Sequence, residues 1–401
     1  MKIRSITCFY HPGSQPSKAI PRLAQQIDGL KSQFISIGWD VQTTRLATVP
    51  FGIYTTPETA VQVIQDLESS ASDQGFNYIS VGPARINHPE EFKLVPKILS
   101  ATRNVFSTGI LTHRHRGIST ASVKACAAII TQAASIKPDG FTNLRFCAMS
   151  NVRPFTPFFP AAYSYGTQPA FALAIEAADA AINAFYSAKT ISEGRSNMLA
   201  HMHQAAEELT SVIHQMNLQW ELPFKGFDFS LAPYPEDWCS LARAIENLGV
   251  EQIGMMGSLS AAAILAETLD RGKWLKTGFN GLMLPVLEDS TLAARSVEGS
   301  FSVKDLLMYS AVCGTGLDTV PLPGDITVDE IEALLMDIAA LSLRLNKPLT
   351  ARLMPVPGLK SGEMTQFDFD FFKNGKILDF PASRLGRALS ASEWIEIRSR
   401  Y

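Results

Sequence analysis

The chain has few of the features that place a protein in a special class on sight. Its 401 residues include only five cysteines, Cys8, Cys126, Cys147, Cys239 and Cys313, odd in number and far apart. No pair has the two-residue spacing of a thiolate metal site, and nothing suggests a disulfide framework. No run of about eighteen apolar residues occurs, so no membrane-spanning helix is expected. Residues 1–16 lack the apolar stretch of a secretory leader, which makes a reducing cytoplasm the expected setting. The net charge is −3 and the basic residues are scattered. With no basic stripe to offset a phosphate backbone, nucleic acid is not an expected partner.

What is present is an ordinary globular composition, 46% hydrophobic and 18% charged, arranged as strand–helix alternation. Residues 3–10 are β-branched and aromatic and stop at His11-Pro12-Gly13. Ile20, Leu23, Ile27, Leu30 and Phe34 then recur at helical spacing, and Gly38 closes that helix. The unit repeats through strands at 41–46, 77–81, 105–111 and 144–150, the second helix starting at Thr56-Pro57. Residues 151–225 read as a helical connector, with one stripe on Phe171, Ile175, Ala178, Ile182 and Phe185 and a second helix over Ser196–Asn217. Alternation resumes with strands at 227–231, 252–256, 281–287, 318–322 and 349–354. Ser302 and Asp305 form a capping-box-like helix start. From residue 359 onward Phe367, Phe369 and Phe371 alternate with polar residues before Asn374-Gly375, which reads as a structural hairpin with a tight turn. The expected architecture is a single α/β domain, two five-stranded parallel halves forming a ten-stranded barrel with a C-terminal hairpin. Its ligands should bind beyond the carboxyl ends of the strands.

The second half carries a recognisable signature. Thr277-Gly278-Phe279-Asn280-Gly281-Leu282, Leu284-Pro285-Val286-Leu287-Glu288-Asp289-Ser290 and residues 309–325, from Tyr309-Ser310-Ala311 to Pro323-Gly324-Asp325, resemble an uncharacterised bacterial and archaeal family. It is known as domain of unknown function 711, or uncharacterised protein family 0210. Phe229-Ser230-Leu231-Ala232-Pro233 and Ile3-Arg4-Ser5-Ile6-Thr7 also fit. The resemblance implies a barrel like that of pyruvate formate-lyase, two five-stranded parallel sheets facing each other, and implies no reaction. Glycyl radical chemistry is not expected, because Val356-Pro357-Gly358-Leu359 and Arg384-Leu385-Gly386-Arg387 do not match the required glycine loop.

Polar residues near strand ends supply the site expectations. Glu288, Asp289 and Asp325 can act as general acid and base, and Glu288 with Asp289 can hold a divalent cation. Asp289 and Asp325 equally suit helix N-caps. Asp318, read as preceding its strand, is taken as structural. His113 and His115 share a face if the chain there is extended, which suits metal or anion binding, with a plain polar loop leading into a helix as the alternative; His113 is taken as a catalytic candidate and His115 as a substrate-binding one. His201 and His203 read as surface residues. Arg153 and Arg352 suit bidentate anion recognition, and an arginine inside a core strand calls for a carboxylate partner. Asn280 joins the substrate-binding set. The run 155–163 either walls a pocket or is a buried crossover. Cys313 sits where the helix dipole disfavours a thiolate, so Cys313-Gly314-Thr315-Gly316 reads as a turn rather than a nucleophile or phosphate loop. Only a loop reaching through the barrel would join the site residues of the two halves, and Thr315-Gly316 is the stretch flexible enough for it. The leading expectation is an enzyme acting on a small polar or anionic molecule by carboxylate or metal-assisted chemistry. A small-molecule sensor is the alternative, and homo-oligomerisation is left open.

Overall fold

The computed structural model describes residues 1–13, 15, 17–217 and 222–400. Its first half follows the alternation closely. Strands β1 (Lys2–Tyr10), β2 (Val41–Thr48), β3 (Tyr78–Ala84) and β4 (Val105–Ile110) are joined by helices α1 (Ile20–Ser36), α2 (Ala60–Asp73) and α3 (Pro89–Ala101). After β4 come a small hairpin, β5 (Thr112–His113) and β6 (Gly117–Ser119), then α4 (Thr120–Ala134) and β7 (Phe146–Ser150). The five long strands are mutually parallel in the order β1–β2–β3–β4–β7. Helix α2 begins at Ala60, later than Thr56-Pro57 suggested, because residues 56–59 form a turn first.

The middle departs from expectation. Residues 170–176 form strand β8, followed by α5 (Ala178–Tyr186) and α6 (Ile191–Asn217). The helical stripe read there is an accident of a strand running into a helix. Phe171, Leu173 and Ile175 alternate with Ala170, Ala172 and Ala174, a period of two that places apolar residues on both faces of a buried strand.

The second half holds β9 (Phe224–Asp228), α7 (Leu241–Asn247), α8 (Ser258–Asp270), α9 (Ser290–Glu298), α10 (Val303–Cys313), β10 (Gly316–Pro323), α11 (Val328–Leu345) and β11 (Leu349–Val356). Ser302 and Asp305 do form a capping box on α10, and Gly314 closes that helix in the left-handed conformation. Residues 252–256 are turns rather than a strand, and Trp238 sits outside α7, half exposed. Residues 276–287 carry no strand of their own. They touch the neighbouring chain through isolated parallel bridges, Phe227–Lys276, Leu231–Leu282 and Pro285–Asp318.

All nine long strands lie in one mostly parallel sheet, ordered β10–β11–β7–β4–β3–β2–β1–β8–β9. Two antiparallel seams, β1 with β8 and β7 with β11, join the halves. The start of a first-half strand therefore lies beside the end of a second-half strand. The helices pack on one face, where Ile6, Cys8, Leu46, Ile79, Phe146 and Leu353 belong to the main core. The other face packs the connecting segment 151–165, whose residues 156–162 are all buried. Thr7 Oγ1 donates to the Pro157 carbonyl at 2.9 Å and Ser80 Oγ to that of Ala162 at 2.6 Å. Segment 151–165 thus runs through the interior, and the buried Thr315 reaches it as well. The small alanines of β8 leave it room: Ala172 packs with Phe159 and Ala162, and Ala174 with Phe158.

The C-terminal hairpin is looser than Asn374-Gly375 implied. Met364 and Lys376 bridge antiparallel, and the Asn374 side chain accepts from Phe367 N at 2.7 Å, so residues 365–375 form one long loop. A final short strand, β12 (Trp394–Ile395), adds to β6.

Candidate functional site

The inner face of the sheet encloses a cavity of about 100 Å³ toward the starting ends of β1–β4. Alternation along each strand decides which residues reach it: Thr43 and Arg45 from β2, Tyr78 from β3, Phe106 from β4, Cys147 from β7, Thr350 and Arg352 from β11. Phe158, Phe159, Pro160 and Ala161 of the interior segment, Phe279 and Met283 of the bridging segment, and Phe369 and Phe371 of the C-terminal loop complete the wall. Both readings of the aromatic run hold together, since it is a buried crossover and it walls the pocket. The C-terminal hairpin, read as structural, contributes two rings to the same wall.

Two strand irregularities supply charge. On β1, Ile3 pairs with Ile175 and Ser5 with Ala174, so Arg4 is one residue too many for β8. On β10, Leu317 pairs with Ala351 and Val320 with Leu353, so Asp318 and Thr319 together face Arg352. Such bulges re-aim side chains. Thr319 adopts φ +37°, a strained conformation for a β-branched residue, and its buried hydroxyl has no hydrogen-bond partner among the described residues.

The result is a continuous ion chain. Glu176 pairs with Arg4, Arg4 with Glu288 at 3.0 Å, Glu288 with Arg352 at 2.7 Å, and Arg352 with Asp318. The sequence called for a carboxylate partner of Arg352, and Glu288 is one. Asp318, read as structural at the opposite end of its strand, is the other; it lies inside β10 opposite Arg352, on the cavity face. Burial pushes the Asp318 carboxyl up, Arg352 opposes that, and the charge of Glu288 adds to it. Burial also raises the Glu176 carboxyl against the pull of Arg4. Burial pushes the Cys147 thiol well up, so it faces the cavity as a neutral thiol.

Arg45 stands apart. It is 7% exposed, and among the described residues its one hydrogen bond runs from Nε to Thr43 Oγ1 at 2.9 Å. Its guanidinium lies over the rings of Phe159 and Tyr78, 5.1 and 5.7 Å from their centroids. Tyr78 is its register partner on β3, so the stacking follows from the sheet. Among the described residues no carboxylate lies within ion-pair distance, and both terminal nitrogens make no hydrogen bond. Burial first, then the charge of Arg4, push this guanidinium down to about 9.

The other expected site residues go elsewhere. Asp289 is fully buried as the N-cap of α9, accepting from Thr291 N and Leu292 N at 3.0 Å each. It also ties α7 down through Ser240 Oγ at 2.6 Å and Ala242 N at 3.2 Å. Its helix-cap reading is the one realised: its oxygens serve α7, α9 and Ser240, while those of Glu288 are held by two arginines. A shared cation there would have to displace guanidinium groups. Asp325 is exposed and caps nothing, because Thr327 is the N-cap of α11. Asn280 is a structural residue at φ +44°, donating to the Phe227 and Thr277 carbonyls and accepting from Trp274 Nε1. Arg153 and His115 are exposed, and His113 is half-buried beside Trp394, at the far ends of the first-half strands. The two histidine rings lie 6.0 Å apart across a tight turn, not on one extended face. Arg4, Arg45 and Glu176 went unread. The signal was the one used for Arg352: an ionised side chain inside a strand that is otherwise apolar or β-branched.

The fold and this interior define a mixed α/β protein with one charged, aromatic-walled cavity. The chain belongs to the family described as Uncharacterised ACR (DUF711), whose profile matches residues 1–374. It is similar to UPF0210 proteins from distant organisms. That of Pyrobaculum islandicum is 26% identical over 373 residues, covering 86% of this chain and 79% of the relative. That of Syntrophobacter fumaroxidans is 26% identical over 406 residues, covering 90% and 86%. That of Lacticaseibacillus paracasei is 27% identical over 331 residues, covering 76% and 71%.

Proposed function

We propose that this protein is an enzyme whose cavity binds a small organic anion on Arg45 and offers it a proton from Asp318. The observation that carries the reading is Arg45, a buried guanidinium whose terminal nitrogens have no partner among the described residues, in a cavity where the other charges are paired. A buried cation is expensive unless something compensates it. The ion chain holds three carboxylates and two guanidiniums, so the charge of Arg45 balances it only at a distance. An anion on Arg45 would leave the cavity negative by one charge. A proton on Asp318, whose carboxyl is already pushed up, restores neutrality. Binding would then take up a proton and present an acid to the bound molecule, the arrangement that general acid catalysis requires.

The metal-assisted version is less supported, since Arg4 and Arg352 occupy the oxygens that a cation would need. The sensor alternative shares the same binding step and differs only in lacking turnover. We also propose that segment 276–287 completes a ten-stranded barrel resembling that of pyruvate formate-lyase, a reading supported by its bridges to β10 and to residues 227 and 231. Five unpaired cysteines support a reducing cytoplasm.

The test is thermal unfolding of wild type and Arg45→Met against a panel of small carboxylates and phosphates between pH 5.5 and 8.5. At a hundredfold excess over Kd a ligand should stabilise wild type by about 2.7 kcal/mol. The effect should weaken as pH rises, because a proton bound to a group with a raised pKa is lost on that side. Ligand-free Arg45→Met should melt at or above the wild-type temperature and respond to no anion. Equal stabilisation of both proteins would sink the proposal.

A further inference from the structure

The wall of the cavity restricts what the anion can be. Most polar side chains lining it spend their hydrogen-bonding groups on backbone carbonyls or on neighbouring side chains. Gln42 donates to Glu176, Thr43 Oγ1 to the Arg4 carbonyl, Thr350 Oγ1 to the Thr315 carbonyl, and Thr315 Oγ1 to the Leu282 carbonyl. Both oxygens of Glu288 are taken by arginines. Unmet capacity next to the aromatic wall belongs to the terminal nitrogens of Arg45 and to the Tyr78 hydroxyl, which makes no hydrogen bond among the described residues. A ligand with many polar atoms, such as a sugar phosphate or a dicarboxylate, would bury several of them against rings without a partner, at a cost for each.

The rings themselves form an edge-to-face set. Tyr78 meets Phe106 at 5.5 Å and 78°, and Phe106 meets Phe159 at 5.3 Å and 66°. Arg45 lies over two of these three rings, so an anion on its terminal nitrogens sits at the border of the aromatic wall. Aromatic side chains favour another ring in such surroundings beyond the area it buries. Size sets the upper limit. A cavity of about 100 Å³ has room for roughly seven to ten water-sized groups, because each occupies about 10–15 Å³ on this measure.

From these observations, and resting on the anion-binding reading above, we infer that the ligand is a single-ring aromatic monocarboxylate. Its carboxylate lies on Arg45, its ring among Tyr78, Phe106 and Phe159, and a ring hydroxyl or amine is within the reach of Tyr78.

Calorimetric titration of the full chain at pH 6 with benzoate, 4-hydroxybenzoate, cyclohexanecarboxylate, succinate and inorganic phosphate tests the class. Benzoate should bind wild type and not Arg45→Met. Cyclohexanecarboxylate, equal in size but without a π face, should bind about tenfold more weakly, which is what one ring pair is worth. Any advantage of 4-hydroxybenzoate over benzoate should vanish in Tyr78→Phe, a variant that keeps the ring. Cyclohexanecarboxylate as tight as benzoate, or succinate or phosphate tighter than either with the same dependence on Arg45, would overturn the aromatic assignment and leave anion binding standing. If no anion binds in an Arg45-dependent way, the anion-binding reading itself falls.

Discussion

Four buried ionised residues illustrate how differently one charge can be handled. Arg352 has two carboxylates and is a structural tie. Arg45 has none and is therefore available. Asp228 is fully buried and accepts from Ser230 N, Ser230 Oγ, Phe279 N and Asn280 N, so it organises the 277–281 turn. Burial still pushes its carboxyl up to about 6. The folded protein then holds a proton between about pH 4 and 6 that the unfolded chain has released, so the contribution of Asp228 to stability falls as pH rises through that window. The stability of wild type minus that of Asp228→Asn should drop by about 2–3 kcal/mol across it, measured by denaturant unfolding at successive pH values. A difference that stays level or rises would show the carboxylate to be fully ionised in the fold. Asp289, the fourth, is buried as deeply and serves only backbone and a hydroxyl.

At the scale of elements, that single carboxylate fastens two helices. It caps α9 and receives the hydroxyl of Ser240, which itself caps α7 by accepting from Arg243 N at 3.1 Å. Asp289→Ala removes one cap and leaves the Ser240 hydroxyl and the Ala242 N–H short of a partner. The expected cost is about 2–4 kcal/mol, a cap plus one or two buried unmet groups, read as a lowered denaturation midpoint. Asp325→Ala should change stability by less than about 0.5 kcal/mol, because that side chain is exposed and caps nothing. The strand bulges belong to this scale too. Without the extra residue on β1, Arg4 would follow the alternation of Ile6 and Cys8 toward the helix side and its links in the ion chain would not form; on β10 the extra residue, Thr319, leaves Asp318 opposite Arg352.

At the scale of the molecule, the helices cover one face of the sheet and the 151–165 segment the other, and every cysteine lies between layers. Cys8, Cys126, Cys147, Cys239 and Cys313 are all buried, as the apolar settings of Cys126 and Cys147 already required. Native protein should therefore react with a thiol reagent only as fast as it opens, with all five sites appearing on denaturation. Rapid labelling of Cys147 alone would mean that the cavity wall is open. The sequence by itself determined the strand–helix order of the first half, the parallel pairing it forces, the capping box at Ser302 and Asp305, and an Arg352 in need of a carboxylate. Each of these rests on spacing or chemistry within a few residues of chain. It did not determine that residues 170–176 form a strand, because mixed apolar runs satisfy both periods until neighbours on both sides choose one. Nor could it assemble the whole site. Glu288 and Arg352 stand out in the chain, but Arg4, Arg45 and Asp318 join them only across the sheet, from strands as far apart in the chain as β1 and β10. Only the antiparallel seams, which set the start of one half beside the end of the other, and the β1 bulge, which turns Arg4 inward, bring the members of the ion chain within reach of one another.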